Sequence, residues 1–443
     1  MTVLTEKIII YGAAGILLIA VIYLYIRKLR RESKIVDDKI RLAKEEGLYE
    51  PVSLHPVINP NSCIQSGACI KACPEEDIIG IKNGRAMVIN ASRCVGHGAC
   101  FHACPTQAIT LCIGTEKRGV DLPHVNPYFE SNVKGIFIAG EMGGMGLIKN
   151  AVEQGRQAVD NIIRSLKIRE RNVYDLIIIG AGPAGISATL EAKKHKLNTI
   201  TLEQNSLGGT VFSFPRTKIV MTSPMDLPLH GKVKLFETNK TTLLKLWTSV
   251  LSKNEIEILE YKKAEKIIRQ NGGFIVNTAD GSQYTTQRVL LTIGRRGSPR
   301  KLNIPGEELP KVFYRLLEPE FIHHKKIVVI GGGDSAVESA LLLAEQNEVT
   351  LSYRKDTFSR LKLKNNQKIK EAMASGKLEV LFNSNLMAIE ENRVTIKTDG
   401  EEQPIQLVND LVYIFAGGEL PTEFLKNAGI EITRKFGEAI LKH

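Results

Sequence analysis

No cysteine stands before Cys63 or after Cys112; all seven lie between those two positions. A disulfide scaffold spreads its cysteines over the fold it staples, so this crowding argues against one and favours metal binding. Aromatic residues are also sparse, at 6%. The formal net charge is +11, but no basic stripe with interleaved aromatics accompanies it, which leaves nucleic-acid binding without a sequence basis. Residues 8–26, IIIYGAAGILLIAVIYLYI, lack Asp, Glu, Lys, Arg and His altogether. At helical rise such a run is about long enough to cross a hydrocarbon core of roughly 30 Å.

That run reads as a membrane span over residues 1–26. Arg27, Lys28, Arg30, Arg31 and Lys34 follow it and only Lys7 precedes it, so the positive-inside rule puts the N-terminus outside and everything after residue 27 on the cytoplasmic side of the cell (inner) membrane. A cleaved signal peptide would carry its positive charges in front and a small-residue cleavage site behind; here the charges lie mostly behind and no such site follows, which favours an uncleaved anchor.

With 443 residues, 43% hydrophobic and 24% charged, the chain has material for two to four domains. Residues 27–56 are charged and free of helix breakers until Gly47, with Pro51 and Pro56 beyond; they read as a polar stalk or linker rather than a core. Residues 57–112 hold two copies of one pattern, CIQSGACIKACP at 63–74 and CVGHGACFHACP at 94–105, separated by a turn and short strand in KNGRAMVIN. From Tyr174 the chain alternates strand, glycine loop and helix, twice over, which predicts α/β architecture with two parallel-sheet, Rossmann-like nucleotide domains.

The first loop is Gly180-Ala181-Gly182-Pro183-Ala184-Gly185. Gly180 permits the tight turn, Gly182 lets backbone approach a pyrophosphate, and Gly185 allows close helix packing. Glu203 ends the next strand, where a carboxylate accepts hydrogen bonds from a ribose. The second loop, Gly331-Gly332-Gly333-Asp334-Ser335-Ala336, has the same context, but its next strand ends in Ser352-Tyr353-Arg354-Lys355. Cations there suit a 2′-phosphate and favour NADPH over NADH, with a merely solvated basic turn as the plain alternative.

From Val173 onward the chain resembles the thioredoxin-reductase-like flavoproteins, in which an FAD domain is interrupted by an NADPH domain. GAGPAG, LGGT at 207–210, LLTIGRRG at 290–297, IPGE at 304–307, VVIGGGDSA and FAGGELPTEFL at 415–425 carry the resemblance. It implies that Gly180, Gly182, Gly185 and Glu203 hold FAD, that Gly208 and Gly209 lie near the flavin, and that Gly331, Gly333, Ser335, Arg354 and Lys355 hold NADPH. The family's redox CxxC has no counterpart, since its place is Tyr314-Arg315-Leu316-Leu317-Glu318, and Ala184 stands where some relatives place a cysteine. After residue 425 comes no strand like the family's GIFxAGD. VNPYFESNVKGIFIAGEMGGMGLIKNAVEQGRQAVDNII, residues 125–163, resembles that piece instead, with Gly140 and Glu141 at the flavin-contacting position. The expectation is a circularly permuted FAD domain: a displaced terminal segment at 113–168, FAD domain at 173–298, NAD(P)H domain at 299–407, return to the FAD domain at 408–443, and a C-terminus close to residues 114–125.

The cysteine runs resemble bacterial dicluster ferredoxins, C-x2-C-x2-C-x3-C-P, with the second ligand changed. The resemblance implies a small α+β domain and crossed ligand sets: Cys63, Cys69 and Cys104 with Ser66 at one corner, and Cys94, Cys100 and Cys73 with His97. Two 4Fe-4S clusters are expected, the Ser66 site being open to a 3Fe-4S form. A ferredoxin relic without iron and a zinc site are the duller alternatives; Cys112 reads as a core residue, and His102 as a surface residue that could replace His97.

The sum is a membrane-anchored NAD(P)H-dependent FAD and iron-sulfur oxidoreductase, resembling ferredoxin–NADP reductases in activity, with no acid-base catalytic residue required. Its expected partner is a redox protein or a small one-electron acceptor, with homodimer formation left undecided. A redox sensor or assembly factor without turnover is the alternative of a different class; a disulfide reductase is disfavoured by the confinement of cysteine to residues 63–112.

Overall fold

The computed structural model describes residues 3–441 apart from 46–48, 50, 52–53, 74, 76, 95, 97, 117–118, 144–146, 168–171, 215–218, 222–223, 236, 271, 296–297, 359–360, 362, 402 and 420. His97 and Pro74 therefore lie outside the described residues. The chain forms two compact units, one made of Met1–Val120 with Lys435–His443 and the other of Asp121–Arg434.

In the first unit, helix α1 (Val3–Glu45) begins with the apolar run, whose side chains meet no protein: Tyr11 is 73% and Ile16 71% exposed. Its length and composition are sufficient to cross a membrane. Farther on the helix turns amphipathic. Val36, Ile40 and Ala43, spaced to share one face, are buried, and Val36 and Ile40 pack with Ile89 and Tyr49. Lys82 and Lys39 pair with Asp37 and Asp77, each at 2.5 Å, and Asn83 donates its backbone N–H to Ser33 Oγ. The stretch expected to be only a linker is thus, from residue 33 to 45, a docked part of the small domain.

That domain contains β1 (His55–Ile58), α2 (Ala68–Ala72), the hairpin β2 (Ile79–Lys82) and β3 (Arg85–Val88), α3 (Ala99–Ala103), and β4 (Ile109–Ile113). Asn83 and Gly84, both with positive φ, close the hairpin, and a Cβ on Gly80 would press into Val36 and Ile89. The sequence repeat is also a backbone repeat. Gly67 and Gly98 each precede their helix at φ 70, and Cys73 and Cys104 end it at φ −77 and −76. Strand β4 pairs with β1 on one side and with strand Glu438–Leu441 on the other, Ala439 facing Cys112.

The second unit holds a mixed sheet, whose strands Ala264–Gln270 and Gly273–Thr278 run antiparallel beside a parallel part, and a wholly parallel sheet. In the first, β7 (Tyr174–Ile179) lies between β8 (Thr199–Leu202) and strand Gln283–Leu291, all parallel. Upstream of these, β5 (Val120–Pro123) pairs with strand Ile432–Lys435, and β6 (Ile136–Ile138) adds to the same sheet as β7, parallel to Gln283–Leu291 with Ile136 opposite Val289. Helix α4 (Ile148–Ile163) packs on α5 (Pro183–Lys194) so closely that a Cβ on Gly155 would overlap the Ala184 carbonyl oxygen. Phe137, Ala158, Val159 and Ile162 join Leu176, Ile178, Ala188 and Leu290 in one core. The segment at 125–163 is thus built into the sheet and helix layer of the first glycine loop. Residues 429–431 close the edge: His124 N–H donates to the Glu431 carbonyl and Asn132 Nδ2 to that of Gly429.

The second sheet runs in the order Val312–Phe313, Leu411–Ile414, Lys326–Ile330, Glu348–Ser352, Glu379–Leu381, all parallel. Leu411–Ile414 sits in its interior, so the second nucleotide domain extends past Ile414 and does not end at residue 407 as its sequence boundary implied.

Candidate functional site

At the first glycine loop, each glycine answers a steric demand. Gly180 takes φ +104 and a Cβ there would lie 2.7 Å from the Thr292 carbonyl oxygen; a Cβ on Gly185 would overlap the Gly180 oxygen. Gly182 is different. It is extended, and a Cβ there would meet no protein atom within 4 Å, leaving an open face at the N-terminus of α5. Gly208 N–H donates to the Ala181 carbonyl, and Gly209, at φ +54, comes so near that its Cβ would be 3.2 Å from Gly182 Cα.

Glu203, only 4% exposed, accepts from Ala181 N–H at 2.7 Å and Asn205 N–H at 2.9 Å. Burial pushes its carboxyl above the ordinary range, opposed by those two N–H groups and by the Arg315 charge. Gly140, at φ +88, donates to Gln154 Oε1 at 2.8 Å and faces Ala184, a Cβ there being 3.1 Å from that of Ala184. Glu141 follows, exposed, within electrostatic reach of the half-buried Arg295, whose guanidinium burial holds below its usual value. A bare pyrophosphate-facing backbone, an adjacent buried acid and a second glycine pair on the same face fit a dinucleotide of the FAD type.

The second loop repeats the scheme. Gly331 takes φ +138 with a Cβ 2.6 Å from the Phe415 oxygen, while Gly333, extended and exposed, would meet nothing. Ser335 is exposed in the first turn of α6 (Asp334–Leu343). Arg354 and Lys355 are exposed just past the strand that follows. Sequence reasoning gave Tyr353 no role, yet its ring covers Gly332, where any Cβ would overlap it, and it stacks on Phe358 at 5.4 Å. Nor did it assign Arg315 or Gln154; Arg315 sits where a family dithiol is missing, which was the available signal. In that same stretch Tyr314 donates to Glu307 Oε1 at 2.6 Å and Leu316 is 2% exposed, so both serve packing.

In the small domain the thiols separate into two groups. Cys63, Cys69 and Cys104 line one cavity together with Ser66. Cys63 Sγ accepts from Ala86 N–H at 3.3 Å and Cys104 Sγ from Ala108 N–H at 3.2 Å. Burial, followed by the charges of Cys63 and Cys104 among the causes that raise it, lifts the Cys69 thiol. Burial likewise pushes Cys94 up to about 11, with a contribution from the charge of Cys73, and Cys100 up to about 12, with contributions from Cys94, Cys73 and, least, Cys69; burial also raises Cys73. Each group thus draws on both repeats. Cys69, Cys73, Cys94 and Cys100 are costly to ionise alone, while at Cys104 the burial cost is outweighed by hydrogen bonds from Ala108 and Thr106 that hold the thiol below its usual value; a shared iron-sulfur core, whose irons take up thiolate charge, suits such a set. Cys112 is buried in β4.

Two glycine loops, each opening a helix from a parallel strand and each ending in an uncovered glycine, define a dinucleotide-dependent oxidoreductase fold. The chain belongs to the pyridine nucleotide-disulphide oxidoreductase family, matched over residues 177–442, and residues 55–105 match a 4Fe-4S dicluster domain. It is an NAD(P)H-dependent FAD oxidoreductase with a ferredoxin-type domain. Among curated relatives, it is 28% identical over 267 residues to the bacilliredoxin reductase Bdr of Bacillus subtilis (strain 168), covering 59% of this chain and 82% of that protein. It is 29% identical over 185 residues to a ferredoxin–NADP reductase of Ignicoccus hospitalis, covering 42% of this chain and 57% of that one. Among solved structures, bacillithiol disulfide reductase Bdr from Bacillus cereus matches with TM-score 0.51 and 25% identity over 61% of this chain and 85% of its own.

Proposed function

We propose that this protein is a membrane-anchored enzyme that moves electrons between NADPH and a one-electron partner through its dicluster domain. The observation that carries the reading is the distribution of thiols: no cysteine exists in residues 113–443, so the flavoprotein part has no dithiol to reduce, and all candidate outlets lie in the ferredoxin-type repeat. Bound FAD would accept a hydride and release electrons singly, the chemistry that links a two-electron nucleotide to one-electron clusters. The chain's own part is to hold the pyrophosphate at Gly182, a ribose at Glu203, and the nucleotide at Gly333 and Ser335. A steady-state assay decides between outlets: NADPH oxidation coupled to cytochrome c is expected, and turnover with a low-molecular-weight disulfide but not with cytochrome c would overturn the reading.

Arg354 and Lys355 support a preference for NADPH. Replacing both with glutamine is expected to raise KM for NADPH about tenfold or more and to leave KM for NADH within about twofold, since charge-assisted phosphate contacts are worth roughly 1.5–3 kcal/mol each. Equal losses for both nucleotides would remove the 2′-phosphate role.

The anchor assignment rests on the uncovered apolar half of α1 and the cations that follow it. Deleting residues 1–26 should move the protein from the membrane fraction to the supernatant with NADPH–dye activity unchanged, because the docked residues 33–45 remain. A circular permutation of the FAD domain accounts for β6 and α4 preceding the strand and helix they pack against.

A further inference from the structure

Backbone contacts fix the spacing of α4 and α5: Gly155 presses on Ala184, and Ser187 Oγ donates to the Val152 carbonyl at 2.6 Å. Near their C-terminal ends the two helices bring together three side chains of ligand type. Asp160 comes from α4, Glu191 from α5, and His195 caps α5 one turn beyond Glu191 on the same face. His195 Nε2 lies 3.0 Å from Glu191 Oε1 and 3.7 Å from Asp160 Oδ1, and one ligand atom from each residue falls within 4.8 Å of the others. Tetrahedral ligands at about 2.0–2.2 Å from one ion stand roughly 3.4 Å apart, so small side-chain shifts suffice.

A plain ion-pair network accounts for most of these contacts but not for all. Lys194 Nζ at 2.8 Å and His195 satisfy Glu191 Oε1, and Arg156 takes Asp160 Oδ2 at 3.3 Å. Glu191 is 1% exposed, and its other oxygen, Oε2, is buried with no hydrogen-bond partner among the described residues. A carboxylate oxygen left so is costly, and a cation bound through the same carboxylate offsets the cost. Asp160 keeps Oδ1 toward His195 while Oδ2 is tied to Arg156, the way a ligand carboxylate is commonly held from behind. Asp160 is 34% and His195 40% exposed, which gives a path from solvent, and Lys194 is half exposed on a flexible stem that can swing away.

We infer that Asp160, Glu191 and His195 bind one divalent transition-metal ion of the zinc type, with solvent at the open position, and that this ion ties α4 to α5. One imidazole with two carboxylates is a borderline donor set, which suits such an ion better than calcium or magnesium and differs from the soft thiols of the cysteine-rich unit. The inference is independent of the electron path proposed above. Its consequence is a metal clamp on the helix pair behind the first glycine loop.

The test uses the full chain, purified anaerobically and titrated with zinc chloride by equilibrium dialysis. The wild-type protein should bind one zinc ion per chain that Asp160→Asn and His195→Gln each hold at least about tenfold more weakly, the scale on which even the hydrogen-bond partners of ligands act. Both positions are part-exposed, so the variants should fold, which circular dichroism checks. Zinc X-ray absorption of the wild type minus that of His195→Gln should show nitrogen and oxygen neighbours at about 2.0–2.2 Å and no sulfur at about 2.3 Å. Equal zinc content and affinity in all three proteins would overturn the inference. So would sulfur neighbours in the difference spectrum, which would place the ion on cysteines instead.

Discussion

Gly155→Ala should strip the protein of most of its flavin. The added methyl overlaps the Ala184 carbonyl oxygen, a backbone atom that cannot yield cheaply, so α4 must move off α5, the helix that opens at the proposed FAD site. Overpacking of this kind costs typically about 1–3 kcal/mol, and a comparable loss of FAD affinity is about five- to 150-fold. Gly182→Ala makes the contrast. Its methyl meets nothing in the protein, so thermal stability of the flavin-free form should hold within about 2 °C while FAD binding weakens at least about tenfold, the pyrophosphate being kept from the backbone. Absorbance of bound flavin and melting curves of both variants check the pair. Full flavin content in Gly155→Ala would mean that α4 does not support the loop.

Cytochrome c reduction should collapse, by about a hundredfold or more, in Cys69→Ala and in Cys100→Ala, one residue from each thiol group. Ferricyanide, a small acceptor able to reach the flavin directly, should still be reduced within about threefold of the wild-type rate. A hundredfold loss corresponds to about 2.7 kcal/mol of barrier, more than a surface perturbation supplies. Parallel loss with both acceptors would mean that the flavin domain itself had been damaged, and retention with both would place the outlet elsewhere. Circular dichroism of each variant separates an unfolded repeat from an interrupted one.

Much of this arrangement was legible in the residues. GIFIAGE reads as a strand and turn wherever it stands, and its family likeness located β6 beside a glycine loop that begins some forty residues later. The likeness of the cysteine runs to dicluster ferredoxins likewise implied thiol groups drawn from both repeats. Other features were hidden for physical reasons. Val36, Ile40 and Ala43 have helical spacing, but three apolar residues in a charged stretch do not announce a partner, and burial came from a hairpin 40 or more residues away. LVYI at 411–414 is a short apolar strand that would suit either sheet; only pairing with Lys326–Ile330 assigns it. Tyr353 over Gly332 is a tertiary contact, and the sequence displays only a tyrosine beside two cations.

The strand at 438–441 has a consequence for synthesis. It supplies one of the two neighbours of β4, so the cysteine-rich unit presents an unpaired edge until residues 438–441, made more than 320 residues after β4, are available. At 5–20 residues per second that interval is roughly half a minute, during which the whole flavoprotein portion is made. A nascent chain in that state displays cysteines and an open strand together, which makes it a natural client for a holding chaperone.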